Sequence, residues 1–189
     1  MPQIRLIAAC LASAALVACG NEREPAQNVA SGPVEEAPAV SLVKPDGTII
    51  GSVRGGDSNE GAVFQVRAEG LPPGVHGMHL HMVGRCEGPA FESAGPHWNP
   101  TNAQHGLENP QGPHYGDLPN ITAGEDGRFE GMVTIRNSYF AESRTRRGPS
   151  EPILDLDGSA LVIHADPDDN RTDPSGNSGA RIACAPLNR

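Results

Sequence analysis

From Val40 onward the chain is written in short β-rich runs, and residues 84–121 break that pattern with a long irregular stretch carrying His97, His105 and His114. A second irregular stretch covers residues 166–180. Structureless segments of this length inside a compact domain need a reason. A hydrophobic core cannot order them, because they hold few apolar side chains. Metal ligation and a disulfide can, since both fix a chain without burying much of it.

The runs read as strands at 40–44, 48–54, 62–69, 77–83, 128–135, 160–165 and 181–185, bounded by Gly, Pro, Asn and Asp. Lys44-Pro45-Asp46-Gly47-Thr48 and Glu125-Asp126-Gly127-Arg128 have the composition of hairpin turns. No long segment repeats at the helical period. The expected class is all-β, an antiparallel sandwich or Greek-key barrel. Aromatics make up only 4% of the chain, so its core must rest on Val, Ile, Leu and Ala.

Neutral imidazole is the commonest protein ligand for zinc and copper. His79 and His81 alternate along a candidate strand, so both leave the same face. His97, His105 and His114 lie in the first irregular stretch, with Asp117 three residues after His114. Three imidazoles and a carboxylate suit tetrahedral zinc. Gly95, Pro96, Gly106, Gly112, Pro113 and Gly116 bracket them and let the backbone turn around an ion. His164 ends the apolar run Ala160-Leu161-Val162-Ile163 and must be satisfied there, by backbone or by an ion shared with His79 and His81. His76 is read as an exposed turn histidine.

The N-terminus reads as an export signal. Residues 1–18 hold Arg5 and then an apolar run, 6–17, too short to span a bilayer comfortably. Leu16-Val17-Ala18-Cys19-Gly20 resembles a bacterial lipobox, which implies cleavage before Cys19 and lipid attached to it. The plainer alternative is an ordinary signal with an incidental cysteine. Gly20 rather than Asp after Cys19 favours the outer membrane of a two-membrane bacterium, and hence a protein of the periplasmic space. Residues 19–39 then form the lipidated cysteine and a Pro- and Ala-rich tether, and 40–189 the domain. Cys10 is lost with the signal. Cys86 and Cys184 remain, and an oxidising compartment favours a bridge between them over two buried thiols. The formal charge of −9 makes nucleic acid an unsuitable partner.

Five ordered segments carry a resemblance to a known family. They are Gly77-Met78-His79-Leu80-His81, Ser93-Ala94-Gly95-Pro96-His97-Trp98-Asn99-Pro100, His114-Tyr115-Gly116-Asp117-Leu118, Leu161-Val162-Ile163-His164, and Gly176-Asn177-Ser178-Gly179-Ala180-Arg181-Ile182-Ala183-Cys184. Together they are similar to copper–zinc superoxide dismutase, over about residues 40–187. The resemblance implies an eight-stranded antiparallel Greek-key barrel with two long functional loops. It implies a copper held by His79, His81, His97 and His164, and a zinc held by His97, His105, His114 and Asp117. His97 would bridge the two ions. It implies a Cys86–Cys184 disulfide, and Arg181 as the cation that attracts an anionic substrate. An outer aspartate linking His79 to His105 would be Asp168, with Asp166 and Asp169 as alternatives.

The implied reaction turns superoxide into dioxygen and hydrogen peroxide, with His97 leaving copper and taking a proton on reduction. Some features depart from compact members. Ten residues separate Cys86 from His97, and Lys44 is the only lysine, so lysine-assisted steering is absent or reassigned. A basic run, Arg144, Arg146 and Arg147, reads as a solvated connection. Oligomeric state is open between a monomer and a homodimer. The competing function is non-enzymatic copper and zinc binding or copper buffering on the same barrel. The chain lacks the Met- and Cys-rich motifs that favour Cu(I) delivery, having four Met and no C-x-C or C-x-x-C.

Overall fold

The computed structural model describes residues 38–140 and 151–188. The export signal, Cys19, most of the tether and the run Arg144–Arg147 lie outside the described residues. Eleven strands are present there: β1 Val40–Val43, β2 Ile49–Asp57, β3 Gly61–Ala68, β4 Gly74–His76, β5 Met78–His81, β6 Ile121–Ala123, β7 Phe129–Arg136, β8 Ser138–Tyr139, β9 Glu151–Pro152, β10 Ser159–His164 and β11 Arg181–Leu187. All seven expected runs contain a strand. The ones not anticipated are short: β4 and β6 have three residues, β8 and β9 two, too few to show a period.

Seven strands form one sheet in the order β5-β10-β11-β1-β2-β3-β7, and β4 pairs with β6. Gly77 alone separates β4 from β5. Its N–H donates to Asp166 O at 2.9 Å and its carbonyl accepts from His164 N–H at 2.8 Å. β4 and β5 are therefore one bent strand that leaves β6 and joins β10. A tight turn at residues 124–128, closed by Gly124 N–H on Arg128 O at 2.9 Å, links β6 to β7. Counting the bent strand once and leaving out β8 and β9, eight antiparallel strands follow the Greek-key order of a curled barrel sheet. The two-residue β8–β9 ladder is parallel and lies apart from it.

Side-chain parity explains where the site sits. On β5, Met78 and Leu80 enter the main core, as Leu161 and Ile163 do from β10. His79 and His81 take the opposite face, and Val162 and Ala160 lie across from them in the ladder. This outer face is not exposed: the loop after β5 covers it. Phe91 and Ala94 from that loop pack on Ala160, Val162 and Cys184 in a second buried cluster. All six residues of β10 are thus buried, which is why it reads as one continuous apolar run.

The loop is ordered by backbone bonds along β5 and by the disulfide. Leu80 N–H donates to Gly116 O, and Trp98 N–H to Leu80 O, both at 2.8 Å. A Cβ at Gly116 would overlap the Leu80 carbonyl, so only glycine admits this approach. Cys86 and Cys184 are bridged with their Cα atoms 5.7 Å apart.

One expectation is overturned. His76 is not an exposed turn residue; it is 2% exposed. It shares parity with Met78 and Leu80 and so points inward. Its Nδ1 lies 2.8 Å from His164 O and its Nε2 2.8 Å from Pro72 O. The ring ties the end of β10 to the turn before β4.

Candidate metal centre

Two sets of side chains converge on the outer wall of the barrel beneath the loops. The first is His79, His81, His97 and His164, with one ring nitrogen of each within 4.8 Å of the others. A bulge between Ile163 and His164 sets His164 opposite Arg181 while its side chain keeps the face of His79 and His81. His97 arrives from the loop, bridged to His81 by backbone pairing.

In every ring of this set one nitrogen is engaged and the other is free. His81 Nδ1 lies 2.8 Å from Gly95 O, and His164 Nδ1 3.2 Å from Gly179 O. His79 Nε2 meets Asp168 Oδ2 at 2.7 Å, and His97 Nδ1 meets Asp117 Oδ1 at 2.9 Å. The remaining atoms, His79 Nδ1, His81 Nε2, His97 Nε2 and His164 Nε2, are buried without a hydrogen-bond partner. Four orphaned buried nitrogens in one place would be costly unless an ion satisfied them. Burial pushes the His97 imidazole down to about 4 and that of His164 to about 3, with neighbouring imidazoles adding to the effect. Burial and His97 lower His81 well below its ordinary value. These rings present neutral lone pairs at neutral pH, as metal ligation requires.

The second set gathers around Asp117. Its Oδ1 lies 2.9 Å from His97 Nδ1, 2.9 Å from His105 Nδ1 and 3.2 Å from His114 Nδ1. His114 Nδ1 is 3.4 Å from His97 Nδ1. Ligands at about 2.0–2.1 Å from a tetrahedral ion stand about 3.3 Å apart, so these spacings match such a site closely. Asp117 Oδ2 is held separately, by the N–H groups of Gly106 at 2.8 Å and His114 at 2.9 Å. His79 also falls within reach of His97, His105 and Asp117. Its Nε2 is taken by Asp168 and its free Nδ1 belongs with the first set, so His114 completes the second.

Asp168 joins the two sets. Its Oδ2 meets His79 and its Oδ1 meets His105 Nε2 at 3.0 Å. Neither Asp166 nor Asp169 occupies this position; Asp169 caps its own turn through Thr172 N–H at 2.8 Å. Burial favours the neutral form of Asp168, yet hydrogen bonds from His105, His79 and Asn170 outweigh it and hold its carboxyl below the usual range. Asp117 is lowered likewise, against its burial, by bonds from His105, His114 and His97. The same pairing acts on His105: burial alone would depress it, but Asp117 and Asp168 raise it to about 9.

Arg181 stands at the edge of the first set. Its guanidinium donates to Phe91 O at 2.6 Å and to Gly95 O at 2.8 Å. Gly95 O therefore holds both Arg181 and His81. Phe91 reaches this contact in the left-handed region, at φ 54°, with its ring buried in the second cluster. Arg171 is tied to Glu108 at 2.6 Å in the open, so it is not a free cation. Sequence reasoning missed Phe91, Gly95 and Gly179 as carbonyl partners, because backbone groups leave no compositional signal.

Two overlapping sets of side chains able to hold metal, mounted on a Greek-key barrel, fit a binuclear metalloprotein. The profile of the copper/zinc superoxide dismutase family matches residues 49–187, and the chain belongs to that family. It is 40% identical to a copper–zinc superoxide dismutase of Aquifex aeolicus over 76% of this chain and 81% of that protein. It is 39% identical to the superoxide dismutase-like protein YojM of Bacillus subtilis, over 96% of this chain and 94% of that one. A crystal structure of a SOD-like protein from Bacillus subtilis superposes with a TM-score of 0.73 at 40% identity, covering 80% of this chain and 99% of that chain.

Proposed function

We propose that this chain is an exported superoxide dismutase in which His79, His81, His97 and His164 hold copper and His97, His105, His114 and Asp117 hold zinc. The observation that carries the reading is the set of four unpartnered buried nitrogens beside a complete three-histidine, one-carboxylate cage. Four nitrogens suit Cu(II), and the mixed cage suits zinc. When bound, copper supplies a one-electron couple and zinc a fixed positive charge.

The chain's own residues supply the rest. Two superoxide anions and two protons become one dioxygen and one hydrogen peroxide. Arg181, fixed by two carbonyls, attracts and orients the anion; a local cation of this kind focuses substrate even on a protein of charge −9. With its Nδ1 beside Asp117, His97 would hold zinc through that atom, and its buried, unpartnered Nε2 would be the atom that holds or releases a proton. The carbonyls of Gly95 and Gly179 and the Asp168 carboxylate fix which nitrogen of His81, His164 and His79 carries the proton.

Superoxide decay followed by stopped flow on protein loaded with both metals tests the reading. Turnover far above that of the same metals in buffer supports it. Full copper occupancy with turnover no faster than buffer would leave the metal-storage alternative.

Zinc uptake carries a further expectation. With His105 raised to about 9, the metal-free ring is cationic at pH 7 and must lose a proton to ligate. Zinc affinity should rise by about tenfold per pH unit up to about 9 and then level off, with about one proton released from His105. Titration calorimetry in buffers of different ionisation enthalpy counts that proton. The linkage to folding has the opposite sign. In the metal-free protein this raised ring contributes stability below about 6.5, and the contribution fades as pH rises through about 9.

We also propose that Cys19 carries lipid and anchors the domain to the cell envelope, on the periplasmic side. The support is the lipobox-like Leu16-Val17-Ala18-Cys19-Gly20 after an apolar run. Mass spectrometry of membrane-extracted protein should find a diacyl or triacyl Cys19 as the first residue. A mature start elsewhere sinks this assignment.

A further inference from the structure

Each imidazole of the second set turns one nitrogen toward Asp117 and the other outward. The outward nitrogen of His97 is the unpartnered Nε2 of the first set. That of His105 meets Asp168. That of His114 faces Asp173 Oδ1 at 3.8 Å, and no role described so far uses this carboxylate. The same oxygen accepts from the backbone N–H of His105 at 2.7 Å. We infer that Asp173 is a positioning residue of the zinc site: it fixes the backbone of His105 and backs the outer N–H of His114. The inference rests on the reading of His97, His105, His114 and Asp117 as zinc ligands.

The chemistry follows from the ring. A neutral imidazole that ligates through Nδ1 must carry its proton on Nε2. A carboxylate facing that N–H orients the ring and raises its basicity as a ligand. At 3.8 Å the contact is an ion-pair distance rather than a direct hydrogen bond, a gap that one water spans. The placement of Asp173 is built into the fold by a zipper between the two loops. Glu108 N–H donates to Asn170 O at 3.0 Å, Asn109 Nδ2 to Arg171 O at 3.3 Å, and Arg171 pairs with Glu108. Gly106, at φ 113°, lies so close to the Asn170 carbonyl that a Cβ there would overlap it. The loop after β10 thus delivers two carboxylates, Asp168 and Asp173, to the outer nitrogens of two zinc-side histidines. Asp168 is 1% exposed at its side chain and Asp173 is 53% exposed, so solvent screens the second more and its effect should be smaller.

The test compares wild type, Asp173→Asn, Asp173→Ala and Asp168→Asn by competing the full-length protein for zinc against a chromophoric chelator, with copper affinity measured alongside. Asn keeps an acceptor for the His105 amide and removes the charge; Ala removes both. Asp173→Asn should weaken zinc by about tenfold, the lower end for outer partners, and Asp173→Ala by more. Copper affinity should hold in both, whereas Asp168→Asn should weaken both metals. Zinc affinity equal to wild type in both Asp173 variants overturns the inference. So does copper affinity falling in step with zinc, which would mark loop collapse. A wild-type protein that binds no zinc defeats the parent reading; wild-type binding with silent variants defeats Asp173 alone.

Discussion

His97→Ala is expected to remove superoxide turnover down to the level of metal in buffer and to disturb both metals at once. His97 is the one residue with a nitrogen in each set. Its Nδ1 sits 2.9 Å from Asp117 and its Nε2 is unpartnered and buried. Losing a positioned proton donor alone costs about a hundredfold to ten-thousandfold in rate. Losing a ligand from both cages adds to that, because Asp117 keeps its buried charge and loses one of its three imidazoles. Two readouts separate the effects. Stopped-flow decay reports the rate, and the visible and paramagnetic spectra of bound copper report its ligand field. A native copper spectrum in His97→Ala would contradict the shared-ligand reading. A changed spectrum with an unchanged rate would remove the proton role instead.

Much of this centre was legible before the structure, and what was not has a physical reason. His79 and His81 were legible because a strand has period two, and Met78 and Leu80 mark which parity is core. His76 obeys the same rule, and its parity with Met78 placed it inside. The expectation of an exposed turn histidine left that alternation out of account. The seven longer strands were legible as β-rich runs bounded by turn residues, β10 as one continuous apolar run. β6, three residues between Pro119 and Gly124, offered no period to read. Asp166, Asp168 and Asp169 could not be ranked from composition, since all three are acidic residues in one turn. The structure ranks them by direct contact: Asp168 meets His79 at 2.7 Å and His105 at 3.0 Å, and Asn120 Oδ1 accepts from its backbone N–H at 2.9 Å. Asp173 left no signal at all, because its partners lie in the other loop, at His105, 68 residues upstream, and at His114. Ring tautomers were equally hidden, being set by the carbonyls of Gly95 and Gly179 on two different loops.

The Cys86–Cys184 bridge should matter to stability nearly as much as His97 matters to rate. It closes a loop with a sequence separation of 98. In the chain-entropy account a loop of about 100 residues is worth about 4.7 kcal/mol. Domains are commonly stable by only about 5–15 kcal/mol, so the metal-free protein without this bridge stands close to unfolding. For a chain of this size the loss corresponds to a fall in Tm of about 10–20 °C. The double variant Cys86→Ala with Cys184→Ala, unfolded metal-free in urea, reads the difference directly. Equal midpoints with and without the bridge would refute it. The position of the bridge adds a second consequence. Cys184 is buried against Phe91, Ala94, Ala160 and Val162, and Phe91 O and Gly95 O anchor Arg181. Without the bridge the loop is held by that small cluster and the backbone bonds along β5. Arg181 and His81 then share a looser support at Gly95. Metal binding should recover much of the lost stability, since ions hold only the folded cage. It should not recover the fixed placement of Arg181, which no metal touches. A metal-loaded variant that melts near wild type but turns over more slowly and with weaker salt dependence is therefore the expected signature, and full recovery of both would show that the bridge acts on the unfolded chain alone.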